Sequence, residues 1–154
     1  MILELFDKVI DYQKHGKFIE DGMVFQIYKF KVNDKKINLQ IGYKEDGTEL
    51  FPLLVNRRGA LYIQFFATDK KGRFTIDTTR DSDSRTAIDI FSTIVDTVKK
   101  ELKKHKDCGV IFCSAYEDVK KSLYISLFKR FLSSDWEVNS YKEIVYAIHK
   151  DNIV

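Results

Sequence analysis

The chain has 154 residues, with 26 Lys+Arg against 23 Asp+Glu (formal net charge +3), two Cys, seven Gly and a single Pro. That length is one domain's worth, and 44% hydrophobic residues, including 12 Phe and 8 Tyr, furnish a core and exclude disorder and a coiled coil. No stretch reaches the roughly 18 to 20 apolar residues of a bilayer span, and Glu4 and Asp7 stand where a signal peptide has its basic flank and apolar core, so neither a membrane partner nor export by that route is expected.

Along the chain, Ile2, Leu3, Leu5, Phe6, Val9 and Ile10 recur at helical spacing and predict a short N-terminal helix, ended by His15-Gly16. Residues 23–32 and 37–43 then read as two strands joined by Asn33-Asp34-Lys35-Lys36. Ile37, Leu39, Ile41 and Tyr43 alternate with Asn38, Gln40 and Gly42, so this hairpin should bury one face. Residues 44–60 hold Asp46-Gly47, Pro52 and Arg57-Arg58-Gly59 and read as an irregular connection around an apolar run at 50–55. A second hairpin is expected from residues 61–68, a turn at 69–72 and a strand at 73–79.

From here the period changes. Ala87, Ile88, Phe91, Ile94, Val95, Val98 and Leu102 form one stripe at 3.6 spacing. Thr86 and Asp89 take capping-box positions and the last turn is rich in lysine, which predicts a helix over about 84–104. Residues 108–113 are short and continuously apolar, as in a strand buried on both faces. Cys108 and Cys113 on that strand would lie roughly 16 Å apart, beyond disulfide reach, and are expected to be reduced. Val119, Leu123, Tyr124, Leu127, Phe128 and Phe131 mark a second amphipathic helix, and residues 136–150 close the chain as one or two strands.

The expected fold class is α/β (α+β), a single domain over residues 1–154. Residues 1–72 form an N-terminal helix and antiparallel strands, and residues 73–148 a βαβαβ half whose crossover from 73–79 to 108–113 runs right-handed. Both halves share one mixed sheet with helices packed on it and a parallel pair near its middle.

This order of elements resembles the Gcn5-related N-acetyltransferase (GNAT) fold, most strongly over about residues 73–148. Residues 73–79 with the helix from about Ser84 look like that family's acyl-CoA-binding strand-loop-helix. Residues 109–115 look like its central strand, which splays from a neighbour to admit the pantetheine arm. Residues 122–131, followed by Trp136-Glu137-Val138, are similar to its tyrosine-bearing helix and the strand after it. The resemblance implies acetyl-CoA as cofactor, Arg80, Ser82, Ser84, Arg85 and Thr86 around its pyrophosphate, and Tyr124 as the acid that protonates the departing thiolate. One departure is plain. The family's phosphate loop reads Gln/Arg-x-x-Gly-x-Gly/Ala, whereas Arg80-Asp81-Ser82-Asp83-Ser84-Arg85 has no glycine, and its two carboxylates repel a diphosphate. That departure argues against any cofactor. The whole chain also resembles a family of small uncharacterised tailed-bacteriophage proteins, through residues 91–104, 111–115 and 123–131. That likeness implies a viral protein in the host cytoplasm or on the virion, and no activity.

Other readings stand beside these. Tyr124 lies on an apolar stripe, where a core tyrosine is as natural as a general acid. His15, His105 and His149 have no i, i+4 partner and no neighbouring Cys, so no metal site is expected. Ser114 and Cys113 have no identifiable base to make either a nucleophile. Lys99, Lys103 and Lys106 fall on one side of the predicted helix, either as an ordinary solvated face or as a nucleic-acid contact. Glu45, Asp46, Glu49 and Asp69 sit in loops, as turns or as the rim of an acceptor-amine pocket. Three function classes follow. The first is a phage-type accessory protein that keeps a GNAT-like fold without its chemistry and binds a host or phage protein. The others are an acyl-CoA-dependent N-acetyltransferase and a nucleic-acid-binding protein using the lysine face. Residues 37–43, read as an edge strand, leave a homodimer open.

Overall fold

The computed structural model describes residues 10–33, 35–68, 74–75, 84–115 and 118–152, with 74–75, 84–87 and 118–120 as backbone only. Its elements are β1 (Gln13–Glu20), β2 (Met23–Val32), β3 (Lys35–Lys44), β4 (Gly59–Thr68), β5 (Phe74–Thr75), α1 (Ser84–Lys104), β6 (Cys108–Ser114), α2 (Asp118–Phe131), β7 (Trp136–Tyr141) and β8 (Ile144–His149). The strands form one mixed sheet in the order β1-β2-β3-β4-β6-β8-β7, with β5 beside β4. β4 and β6 are parallel, and the other paired strands are antiparallel.

Local chemistry accounts for the hairpins. Glu20 pairs with Met23 across Asp21-Gly22, both at positive φ (52° and 78°), the two-residue turn whose twist suits a hairpin. Val32 pairs with Lys35 across a turn opened by Asn33 (φ 55°), and Tyr141 with Ile144 across Lys142 (φ 53°). Alternation then selects the faces. Tyr28, Phe30, Leu39, Ile41, Leu61, Ile63, Ile111, Val145 and Ala147 pack with Ile90, Phe91, Ile94 and Val98 of α1 and Leu127 and Phe128 of α2 in one continuous core. Each fully buried Val, Leu, Ile or Phe among them contributes about 1.5 to 3 kcal/mol. Both helices thus cover one face of the sheet, giving two layers of an α+β fold. Among the described residues, no helix is long and apolar enough to cross a membrane.

Several expectations are corrected. His15 and Gly16 lie inside β1 and do not end a helix; residues 1–9 of the expected helix lie outside the described residues. β3 is interior, hydrogen-bonded on both sides, so residues 37–43 offer no free edge; the edges are β1 and β7. The parallel neighbour of β6 is β4, one strand earlier than expected, because β5 is two residues long and pairs antiparallel with the far end of β4. The rest of the expected strand over 73–79 lies outside the described residues.

The opposite face carries a smaller cluster. Leu54, Ala60 and Val110 are buried there with Phe51, Phe112 and Tyr146 packed against them. The connection over residues 50–57 is held by one side chain: Asn152 Oδ1, itself buried, accepts from the backbone N–H groups of Val55, Asn56 and Arg57 at 3.1, 3.0 and 3.1 Å. Arg57 adds an ion pair to Asp151 at 3.2 Å and donates to the Lys106 carbonyl at 2.5 Å.

Candidate functional site

The parallel pair β4–β6 is where the sheet opens. Their register runs from Gly59↔Cys108 to Ile63↔Cys113 and stops, and β5 meets β4 again only at Ala67 and Thr68. Between these points Phe65 projects toward the helices and meets Phe91 of α1 and Tyr124 of α2. The three rings lie edge to face, with centroids 5.9, 6.4 and 6.0 Å apart. Such pairs favour that geometry because a ring's positive edge meets a negative face. They leave a cavity of about 40 Å³, lined by apolar groups including Ile63, Cys113 and Leu127. Tyr124 is therefore at the opening of the sheet, and it is buried.

Of the other predicted site residues, Lys99, Lys103 and Lys106 alone have described side chains. Arg80 and Ser82 lie outside the described residues, and Ser84, Arg85 and Thr86 form the first turn of α1 as backbone only. Lys99 and Lys103 are exposed on α1, but that helix ends at Lys104 and Lys106 sits in the turn beyond it, so the three do not share a helix face. Asp46 serves a turn: its carboxylate accepts from the Thr48 hydroxyl and from the Thr48 N–H at 3.1 Å, which in that order hold its pKa below the ordinary value. Burial pushes both thiols, Cys108 and Cys113, up to about 12, so neither is an activated nucleophile. Among the described residues, no three His, Cys, Asp or Glu side chains are grouped so as to hold a metal ion.

The face turned away from the helices carries what alternation alone does not single out. An aromatic row crosses it: Phe18 stacks on Phe25 at 4.8 Å and Tyr62 on Phe112 at 4.8 Å, and Phe51 caps Phe112 and Tyr146. On one side of this row, Gln64 donates to Gln40 at 2.5 Å and Gln40 to Asn38 at 3.1 Å, an amide ladder across β4 and β3. Beyond the ladder lie Lys29, Lys31 and Lys36, all exposed, around a groove of about 910 Å³. On the other side, residues 50–53 and the β7–β8 hairpin bound a second groove of about 410 Å³. Leu53 is 80% exposed and Tyr141 65%, with Leu50 and Ile144 beside them. Alternation marks Lys29, Lys31, Lys36, Asn38 and Gln40 as outward-facing, and only the strand order brings them to one groove. With this geometry in hand, comparison with known proteins finds no matching family model, no matching curated protein and no matching solved structure.

Proposed function

We propose that the chain is a GNAT-like accessory protein of phage type that has kept the fold without cofactor chemistry and acts by binding a host or phage protein, in the host cytoplasm or on the virion. The observation that carries this reading is the filled opening of the sheet. Beyond Ile63 and Cys113, where an acyl-CoA enzyme of this fold admits a pantetheine arm, Phe65, Phe91 and Tyr124 meet edge to face and, among the described residues, leave room for about one water. The glycine-free stretch at residues 80–85 points the same way. The groove around Leu53 and Tyr141 supplies the apolar surface that a protein partner covers.

The acetyltransferase reading keeps one observation in its favour, the placing of Tyr124 beside a parting parallel pair. Titration calorimetry with acetyl-CoA and with CoA separates the two. The binding reading expects no heat from the wild type; micromolar binding overturns it. For the partner itself, Leu53→Asp is the test. At that exposure its own stability cost is within about 0.5 kcal/mol, so a host protein captured by the wild type should be lost from the variant. Equal capture by both would remove this groove as the interface.

A further inference from the structure

We propose that the chain forms a homodimer in which the β7 edge strands of two copies pair antiparallel about a two-fold axis at Val138. The first observation is an open edge. Among the described residues, no strand pairs with the free side of β7. The Asp135 carbonyl accepts from the Lys150 N–H at 2.7 Å, one step before the pair Trp136↔His149. Bonding to β8 alternates from there, so Glu137, Asn139 and Tyr141 direct their backbone groups to β8, while Trp136, Val138 and Ser140 turn theirs to the free side. The Trp136 N–H is held by the Ser133 carbonyl at 3.2 Å and the Ser140 N–H by the exposed Asn139 Oδ1 at 2.9 Å. Val138 keeps its N–H and C=O open among the described residues. The opposite edge is guarded. β1 is broken between Lys14 and Lys17, the Gly16 carbonyl at φ 100° accepts from the Gln26 amide at 3.0 Å, and Lys14, Lys17 and Glu20 charge the strand. Such devices keep edge strands apart. β7 has an unbroken register with β8, no proline and one charged residue, Glu137.

The second observation selects a copy of the same strand as the occupant. The row on the uncovered face reads Asp135, Glu137, Asn139, Tyr141, all exposed: two carboxylates followed by an amide and a phenol. Antiparallel pairing about Val138 runs one row against the other in reverse. Glu137 then stands opposite Asn139 of the second copy and Asp135 opposite its Tyr141, each pair occurring twice. Every carboxylate meets a donor, no like charges face each other, and the two Val138 residues exchange their open N–H and C=O groups at the axis. Moving the register by two residues sets Glu137 against Glu137 in one direction and Asn139 against Asn139 in the other. A strand from another protein would need this same order of acceptors and donors, which the chain already carries. The contact is isologous, as in most two-fold dimers. Its axis is perpendicular to the sheet, so the Leu53–Tyr141 grooves of both copies open on one side. The inference goes beyond the partner-binding reading and does not rest on it.

The experiment is sedimentation equilibrium of the full chain over a range of concentrations. Expected is twice the 18.1 kDa of one chain, falling to the single mass on dilution. Asn139→Glu sets a second carboxylate opposite Glu137 at both symmetric pairs and should weaken the dimer roughly tenfold or more. The site is exposed, so the variant should keep the wild-type fold by circular dichroism, which separates lost pairing from lost folding. Glu137→Lys/Asn139→Glu makes both pairs ionic and should restore the dimer, now weakening as salt is raised. Leu53→Asp should leave the dimer intact, so its failure and that of the partner-binding reading are told apart. Four results would overturn the proposal: a single-chain mass at every concentration, a dimer unchanged by Asn139→Glu, no recovery in the double variant, or loss of the dimer on Leu53→Asp.

Discussion

The two grooves of the uncovered sheet face are built by one rule and end with opposite chemistry. Around β2 and β3 the inward positions are Tyr28, Phe30, Ile37 and Leu39, and the outward ones are Lys29, Lys31, Lys36 and Asn38. Around β7 and β8 the outward set is Glu137, Asn139, Tyr141, Ile144, Tyr146 and Ile148, roofed by Leu50, Phe51 and Leu53. Period-two alternation secures the core in both places and leaves the outer face free to specialise. The supports differ as well. The basic part is tied from behind, where the Tyr28 hydroxyl donates to Glu101 of α1 and both groups are buried. The apolar part is tied from its own side, by Asn152 to residues 55–57.

Three substitutions break or sharpen that contrast. The largest effect is expected at Gly59, which opens β4 and serves both parts. A Cβ there would collide with the Tyr43 ring and hydroxyl, which donates to Asp107 at 2.5 Å. Gly59→Ala should therefore cost about 3 kcal/mol in urea denaturation, the upper range for an overpacked site, and disturb both grooves. Retention of wild-type stability would show that Tyr43 moves aside freely.

Tyr28→Phe comes next, at about 2 kcal/mol, because it withdraws a donor from a buried carboxylate. Glu101 keeps Lys104 and His105 at 3.5 Å, which limits the loss. The same bond sets a pH dependence. Burial first, and then the carboxylates of Glu101 and Asp107, raise the pKa of Tyr28 and Tyr43 well above the ordinary value near 10. A raised folded-state pKa contributes stability that is whole below the unfolded value and lost as pH climbs past it. Stability should therefore hold to about pH 10 and fall above it, and the fall should be shallower in Tyr28→Phe. An identical alkaline limb in the variant would exclude Tyr28 from the linkage.

The smallest of the three is Asn152→Ala, at about 1 to 2 kcal/mol, since water replaces part of what the amide supplied to the exposed Val55 and Asn56 N–H groups. Its signature is local: hydrogen exchange should quicken at residues 55–57 and stay unchanged in β2 and β3. Asn152→Asp, which keeps an acceptor oxygen, should preserve protection. Uniform quickening across the sheet would mean that the C-terminal turn supports the whole fold.

Much of the fold was legible from periodicity. The β2–β3 hairpin, α1, the buried strand at 108–113 and α2 each carry a pattern over enough residues and fall where expected, and residues 136–150, read as one or two strands, form the two strands β7 and β8. β1 was not legible because it is an edge strand exposed on nearly every residue, so it has no buried face to print alternation. Asp21-Gly22 was the available clue, a turn whose two positive φ angles imply a strand on either side. For the site, Tyr124 lies buried against Phe65 and Phe91, an inward position that its apolar stripe makes legible, whereas the lysine trio runs past the end of α1 at Lys104.

The sequence by itself determined which residues are apolar and at what period, and so, wherever a stretch has a buried face, whether it is helix or strand and which side chains turn inward. Only the tertiary structure decided that β6 lies beside β4, that aromatic rings fill the gap where those strands part, and that Lys31 faces Lys36 next to Asn38 while Leu53 meets Tyr141 across the second groove. Periodicity is a local property, set by backbone geometry over a few residues. Strand order and the meeting of residues some 90 positions apart are set by which apolar faces the whole chain can bury at once, and no local pattern encodes that.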